Sequence, residues 1–270
     1  MFRAYPIGRL CGIRLDVHAS WFPIYALVAL TIANAEPIHA LGWAAATAVG
    51  AAAALVLFAS VLVHELAHAL TARWFGVQTS SIALFLFGGV AMLEAEPPGP
   101  LADALVALAG PAMSAAVALA AFGALHAVDP IVPSAYADVA ASVLAYVTFA
   151  NAVLAAFNLI PAYPMDGGRV LRALLWRLRG DRDRATATAA LVGIGFGLCF
   201  AVVGIVAVVA TRTWQFAWYI AVAGFLVRTS WVQYRALRGG APLTVSVRPS
   251  RPPASEAVSV GARTADRWSV

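Results

Sequence analysis

The sequence predicts an all-α polytopic membrane protein with six transmembrane helices and one short membrane-associated β-hairpin between the second and third spans. Two features of the composition support this fold class: 62% of the 270 residues are hydrophobic and only 11% are charged. The mean hydropathy is +0.82. Soluble domains carry about 25% charged residues, so lipid must cover much of the surface of this chain. A soluble enzyme and a disordered chain are both excluded.

Six apolar stretches have about the length of 20 residues that a transmembrane helix needs, or more. They lie at about residues 19–35, 41–72, 101–125, 139–160, 188–210 and 214–234. The second stretch is longer than one crossing requires, so its helix must tilt or project beyond the bilayer. We assign residues 1–240 to one membrane domain. Residues 241–270 are rich in proline, serine, alanine and arginine, which predicts a disordered cytoplasmic tail.

The 18 basic residues are all arginines, and their distribution predicts the topology. Most of them precede the first span, follow the second, cluster between the fourth and fifth, or follow the sixth. Arg212 is the lone arginine in the loops on the opposite side. Because positively charged loops remain in the cytoplasm, both termini should be cytoplasmic. The same clustering favours membrane topology over nucleic acid binding.

The segment between the second and third spans lacks helical periodicity. Two short apolar runs, at residues 82–87 and 90–93, flank Gly88 and Gly89 and predict a β-hairpin. An apolar hairpin cannot leave its backbone groups unpaired in lipid, so it should pack against other protein. Two interpretations stay open: a surface loop that dips into the membrane interface, or an edge that pairs with an extended segment of another chain.

The second span contains His64, Glu65 and His68 in the pattern His-Glu-x-x-His. One helical turn separates the two histidines, so both imidazoles can reach one metal ion, with Glu65 beside them to act on water. The alternative is a pair of buried histidines in a helix bundle, with the glutamate hydrogen-bonded to a neighbour. Three ionisable groups in one turn of an intramembrane helix are costly and usually mark a functional site, which favours the metal.

A catalytic zinc site generally has three protein ligands and one open position, so another segment must supply the third. Asp103 opens the third span, where a carboxylate also suits the helix dipole. Asp166 follows the fourth span in a stretch that Pro161 and Pro164 break. Unwound backbone at membrane depth is tolerated where it lines a polar cavity, which favours Asp166 as the ligand. Capping of the following helix is the alternative role for this aspartate.

Together these motifs resemble the site-2 protease family of intramembrane zinc metalloproteases. The matching segments are His64-Glu65-x-x-His68, Gly88-Gly89-Val90, Ala109-Gly110-Pro111 and Asn158-x-x-Pro161-x-x-Pro164-x-Asp166-Gly167. The layout is most similar to the six-span branch, whose members often carry paired cystathionine-β-synthase-type domains that this sequence does not show. Family members often have an asparagine where this chain has Ser114.

The resemblance implies one zinc ion per chain, held by His64, His68 and Asp166. It also implies that Glu65 is the general base that acts on a zinc-activated water. Asn158 matches a family asparagine that lies near the scissile carbonyl. A hydrogen bond to an adjacent backbone carbonyl, where the helix ends, is the alternative role for this asparagine.

The implied activity is hydrolysis of peptide bonds in or near transmembrane segments of membrane-tethered proteins, that is, regulated intramembrane proteolysis. A transmembrane helix hides its carbonyls in hydrogen bonds, so the substrate must unwind. The residues predicted to bind the unwound strand are Leu84, Phe85, Gly88, Gly89 and Val90.

The expected partners are the lipid bilayer and a membrane-protein substrate, such as an anti-sigma factor, and no nucleic acid. The resemblance and the lysine-free, alanine-rich composition favour a bacterial cell membrane as the location. The alternative functions are a zinc-binding membrane transporter and a non-proteolytic membrane scaffold.

Overall fold

The computed structural model describes residues 4–85, 88–128 and 134–238. Within these residues lie seven α-helices, two short 3-10 helices and one four-stranded sheet. The predicted tail at residues 241–270 lies outside the described residues, so the division near residue 240 stays a prediction.

Two of the four strands lie between the second and third of the seven helices. The helices are α1 (Trp21–Ala33), α2 (Trp43–Trp74), α3 (Pro100–His126), α4 (Ser134–Asn158), α5 (Asp166–Arg179), α6 (Arg182–Thr211) and α7 (Ala217–Arg238). The 3-10 helices are His39–Leu41 and Trp214–Phe216. The strands are β1 (Ala4–Leu10), β2 (Ile13–His18), β3 (Thr79–Phe85) and β4 (Gly88–Leu93).

Four of the described helices are long and apolar enough to cross a bilayer, and they match the second to fifth predicted spans. They are α2, α3, the Tyr136–Asn158 part of α4, and α6. Helix α1 is apolar but has 13 residues, a length of about 20 Å against a hydrocarbon core of about 30 Å. Helix α7 has 22 residues and carries three arginines. The chain is an integral membrane protein, whereas its predicted count of six crossings is not confirmed.

The sheet has two strands more than the predicted hairpin. Strands β1 and β2 precede α1, and the strand order is β1-β2-β3-β4. Strand β2 pairs with β3 in parallel, and the other two pairs are antiparallel. The sequence signal for β2 is the alternation of Ile13, Leu15 and Val17 with charged or polar residues, a period of two that is typical of strands. The fold is therefore mostly helical with a small sheet.

The sheet and α3 hold α2 from different sides. Ile13 and Ile82 of the sheet form a buried cluster with Ala69 of α2. Val106 of α3 forms another buried cluster with Ala72 at the end of α2. Helix α3 also contacts α4 and α5, so it lies at the centre of the helical part. Small buried residues along α3 permit this close approach, as is common where helices meet within membranes.

Candidate metal centre and active site

The three predicted metal ligands converge on one point. The Nε2 atoms of His64 and His68 lie 3.2 Å apart. Asp166 Oδ2 lies 3.3 Å from the first of these nitrogens and 3.2 Å from the second. All three side chains are buried or nearly so. In the described part of the chain, no other three His, Cys, Asp or Glu side chains are arranged to share one metal ion. We call these three residues the ligand cluster.

A tight turn between α4 and α5 places Asp166 in this cluster. The backbone of residues 159–165 folds back over the first turn of α5, where a Cβ on Gly168 would lie 2.5 Å from the amide nitrogen of Tyr163. The Ser230 hydroxyl of α7 donates to the Tyr163 carbonyl at 2.5 Å and holds the turn from the other side. The N-cap of α5 is Met165, so Asp166 is the first helical residue and its side chain reaches the histidines instead of capping.

Helix α3 orients both imidazoles. The Nδ1–H of His68 donates to the carbonyl oxygen of Val106 at 2.6 Å. Nδ1 of His64 lies 2.8 Å from the Ser114 hydroxyl oxygen, and this serine is fully buried. Hydrogen bonds at Nδ1 fix the ring orientation and leave Nε2 as the metal-binding atom. Ser114, which the sequence marks only as a departure from the family pattern, is thus a direct neighbour of a ligand.

The space beside Gly110 fits a metal ion. A Cβ built on this glycine of α3 would lie 2.6 Å from His64 Nε2 and closer still to His68 Nε2. Zinc binds imidazole nitrogen at about 2.0–2.1 Å. The space that the absent side chain leaves therefore lies close to both nitrogens. Two imidazole nitrogens and one carboxylate oxygen are also a donor set that zinc accepts, so the residues present fit this ion.

Asp166 is ionised at neutral pH. Burial alone would raise the pKa of this carboxyl, but its hydrogen bonds with His64 and His68 outweigh burial and lower the pKa to about 2. A carboxylate must be deprotonated to bind a metal ion. The ligand cluster therefore holds its third donor in the charge state that metal binding requires.

Glu65 lies between the ligand cluster and strand β4. Its Oε2 atom accepts a hydrogen bond from the Ala91 N–H of β4 at 3.1 Å. A Cβ on Gly89 would lie 2.5 Å from Glu65 Cγ, so the glycine lets the strand pass close to this side chain. A cavity of about 340 Å³ opens here, and it is lined by the ligand cluster, Glu65 and the outer edge of β4.

The structure separates the five predicted substrate-binding residues. Phe85, Gly89 and Val90 line the cavity. Gly88 lies at the start of β4, opposite Phe85. Leu84 is buried on β3, which is paired on both sides, and it lines a separate apolar groove between the sheet, α1 and α2. The free edge of the hairpin therefore belongs to β4 and not to the strand that carries Leu84.

The further polar residues that line the cavity include Asn158 and Arg169. Asn158 is the last residue of α4, and its Nδ2 donates to the Leu154 carbonyl at 2.9 Å, which is the contact expected of its alternative role. Its side chain nevertheless borders the cavity. Arg169, one turn after Asp166, lies at the same cavity, although the sequence predicts no role for it.

The fold and the site define a polytopic membrane protein with a metallopeptidase-type centre. The pattern of Peptidase family M50 matches residues 52–131 and 127–202, more than half of the chain. The chain belongs to this family, and the predicted resemblance to site-2 proteases is confirmed.

The names of two relatives support this assignment. A Synechocystis protein that is provisionally named a zinc metalloprotease is 36% identical over 225 residues, which are 83% of this chain and 58% of that protein. Rip3 of Mycobacterium tuberculosis, which also bears a provisional zinc metalloprotease name, is 38% identical over 209 residues, 77% of this chain and 52% of its own. The chain thus spans little more than half the length of these relatives.

A solved structure has the same fold. The site-2 protease from Methanocaldococcus jannaschii matches with a TM-score of 0.58 at 25% identity. The match covers 86% of this chain and 96% of the other. The described helices and sheet therefore correspond to nearly the whole of that structure.

Proposed function

We propose that this protein is an intramembrane zinc endopeptidase that hydrolyses peptide bonds in or near transmembrane segments of membrane-tethered proteins. The observation that carries the proposal is the convergence of the three donor atoms of the ligand cluster within 3.3 Å, with Glu65 in the same cavity. A metal transporter would use the same donors, but it has no need of a carboxylate positioned beside them.

The ligand cluster would hold one zinc ion through Nε2 of His64, Nε2 of His68 and Oδ2 of Asp166. When bound, zinc supplies Lewis acidity, which lowers the pKa of water and polarises a peptide carbonyl. Three protein ligands leave one position for the reacting groups.

Glu65 is the general base of this proposal. It accepts a proton from the attacking water and returns that proton to the leaving amine. The hydrogen bond from the Ala91 N–H holds its carboxylate at the cavity. Asn158 would donate from its side-chain amide to the oxygen of the scissile carbonyl, after rotating away from the Leu154 carbonyl that it contacts here. A donor of this kind contributes on the order of 10²–10³ in kcat.

The edge of β4 would bind the unwound substrate as an added strand. The Ala91 N–H points away from β3 towards Glu65, and the period of two directs residues 89 and 93 to the same edge. Gly89 and Leu93, which both line the cavity, therefore offer backbone groups for pairing. Phe85 and Val90 border the bound strand, whereas Leu84 lies away from it.

The proposal includes six crossings, with α1 and α7 as the first and last. Both termini then lie on the cytoplasmic side, which agrees with the arginines at the ends of α2, α5 and α7. We further propose a bacterial cell membrane as the location and an anti-sigma factor or similar tethered regulator as the substrate. A reporter fused after residue 238 and assayed for cytoplasmic activity tests the orientation.

Replacement of Glu65 by glutamine tests the proposed chemistry. The wild type and Glu65→Gln are purified, analysed for zinc by mass spectrometry, and reconstituted with single-span reporter proteins in the same vesicles. We expect one zinc per chain in both proteins and a loss of cleavage of at least about 10³-fold in the variant, since the general base is lost. Glu94→Gln, the same substitution at an exposed position, serves as the control and should cleave normally.

Zinc flux into the vesicles is measured in parallel with a zinc-sensitive dye. Equal flux through the wild type and Glu65→Gln, without cleavage by either, would identify a transporter. A wild type that holds zinc but neither cleaves nor transports would identify a scaffold. Identification of the substrate uses Glu65→Gln as a trap in native membranes, followed by mass spectrometry of the captured proteins. Capture of a tethered regulator by the variant, and not by the wild type, is the expected result.

A further inference from the structure

A buried ion pair joins the helix that carries Asp166 to α3. Arg172 of α5 donates from Nε to Asp103 Oδ2 at 2.9 Å and from Nη2 to Oδ1 at 2.6 Å. Arg172 is 6% exposed and Asp103 is 1% exposed. The two parallel hydrogen bonds define both the distance and the orientation between the helices, as a single contact would not. We call this pair the Asp103–Arg172 latch.

A contribution to folding stability does not explain well why this ion pair is buried here. Removing two charges from water carries a desolvation penalty that often exceeds their mutual attraction, and well-packed apolar pairs of similar volume often stabilise a protein equally well or better. Arg169 contacts the same carboxylate with one longer contact of 3.4 Å and does not take over the bidentate geometry. A positional role therefore accounts better for a buried aspartate at this place.

Asp103 of the latch lies on α3, the helix that orients the two histidines. Val106, whose carbonyl accepts from His68, follows Asp103 by three residues, or about one helical turn. Ser114, the partner of His64, lies on this helix as well. On α5, Arg172 follows Asp166 by six residues, a rise of about 9 Å. Helix α3 therefore supports all three ligands, the histidines directly and Asp166 through the latch.

We propose that Asp103 and Arg172 are positioning residues that set the distance between Asp166 and the two histidines. This inference rests on the proposed function, because it takes these three residues as the metal ligands. Metal–ligand distances tolerate changes of only about 0.2 Å, so a small shift of α5 is enough to weaken the site. Neither residue of the latch touches the reacting atoms in this proposal.

Substitution of Arg172 by lysine tests the latch, because lysine keeps the charge but lacks the bidentate fork. The probe is Co²⁺, whose visible absorption reports coordination and whose affinity is measured by competition with a chelator on the purified full chain. We expect Arg172→Lys to bind Co²⁺ about 10–100-fold more weakly, as is typical when a residue supporting a metal ligand is lost. The absorption spectrum should also change. Arg177→Gln, an exposed arginine of the same helix, should match the wild type.

Two further variants separate positioning from general destabilisation. The double variant Asp103→Leu, Arg172→Met removes both charges of the latch, and the partly exposed Arg169 loses only its longer contact of 3.4 Å, so the variant should fold even if Arg172→Lys does not. It should still bind Co²⁺ at least tenfold more weakly than the wild type. Gly197→Ala lowers the Tm through a Cβ placed 2.6 Å from Val227 Cγ2, away from α3 and α5, and should leave the cobalt affinity unchanged.

The results distinguish the latch from the function on which it rests. Cobalt affinity within twofold of the wild type in the folded double variant, with an unchanged spectrum, would overturn the latch and leave the proposed function intact. A wild type that binds no Co²⁺ would overturn the proposed function and the latch together. Binding by the wild type that Asp166→Asn leaves unaltered would overturn the ligand assignment and the latch with it.

Discussion

Gly110 is the position where the smallest substitution should have the largest effect on the metal centre. Gly110→Ala adds one methyl group to α3, directly beside the ligand cluster. The new Cβ would lie 2.6 Å from His64 Nε2 and closer still to His68 Nε2. Helix α3 cannot withdraw without disturbing these rings, since Val106 and Ser114 of the same helix hold them by hydrogen bonds.

The size of the effect follows from these distances. Non-bonded heavy atoms prefer a separation of about 3.5–4.0 Å, so the methyl group must push the imidazoles away by about 1 Å. This displacement is about five times the 0.2 Å that metal–ligand distances tolerate. We therefore expect the zinc affinity to fall at least about 100-fold, the upper end of what the loss of a supporting residue costs. Cleavage should fall with it, because the metal supplies the Lewis acid.

Isothermal titration of the chelator-stripped protein with zinc measures this affinity, and the reporter assay measures cleavage. Gly123→Ala is the matched control on the same helix, because its Cβ would have no atom within 4 Å. This control should bind zinc as the wild type does and gain up to about 1 kcal/mol of stability from the better helix propensity of alanine. A Gly110→Ala protein that binds zinc with wild-type affinity would refute the placement of the metal beside this glycine.

Three other substitutions test neighbouring parts of the site. Ser114→Ala removes the partner of His64 Nδ1 and should weaken zinc binding, measured by titration, about tenfold. Ser80→Ala, which removes an exposed hydroxyl, should leave the zinc affinity unchanged. Equal affinities of the two variants would contradict the role of Ser114. Gly89→Ala places a Cβ 2.5 Å from Glu65 Cγ and should lower kcat about 100-fold with zinc content unchanged, since a displacement of 1 Å at a reacting group has an effect of this order. An unchanged kcat would show that Glu65 is not held against β4. Gly193→Ala brings a Cβ to 2.9 Å from the Tyr163 amide nitrogen. The substitution should therefore destabilise the turn before Asp166 by about 1–3 kcal/mol and lower the Tm. Gly195→Ala, whose Cβ has open space around it, should leave the Tm unchanged.

The local patterns of the sequence were sufficient to predict the class of protein and the three residues of the ligand cluster. Apolar stretches of membrane length depend only on neighbouring residues, and four of them reappear as helices within six residues of their predicted bounds. The spacing of His64 and His68 places both on one face of any helix. The proline-broken stretch after the fourth span pointed to Asp166, which the structure brings to both histidines.

Tertiary packing decided the features that local patterns do not encode. Strand β2 joins the sheet through a parallel pairing of Leu15 with Ile82 across two intervening helices, and this pairing makes β3 an inner strand and leaves β4 as the edge at the cavity. From the sequence alone, Asp103 could stabilise a helix N-terminus, bind a metal ion or pair with a cationic side chain. Only the packing of α5 on α3 shows that it binds Arg172. Ser114 likewise becomes the partner of His64 only when α3 packs on α2. These contacts join residues 50 to 69 positions apart, and at such separations packing rather than periodicity determines which side chains meet.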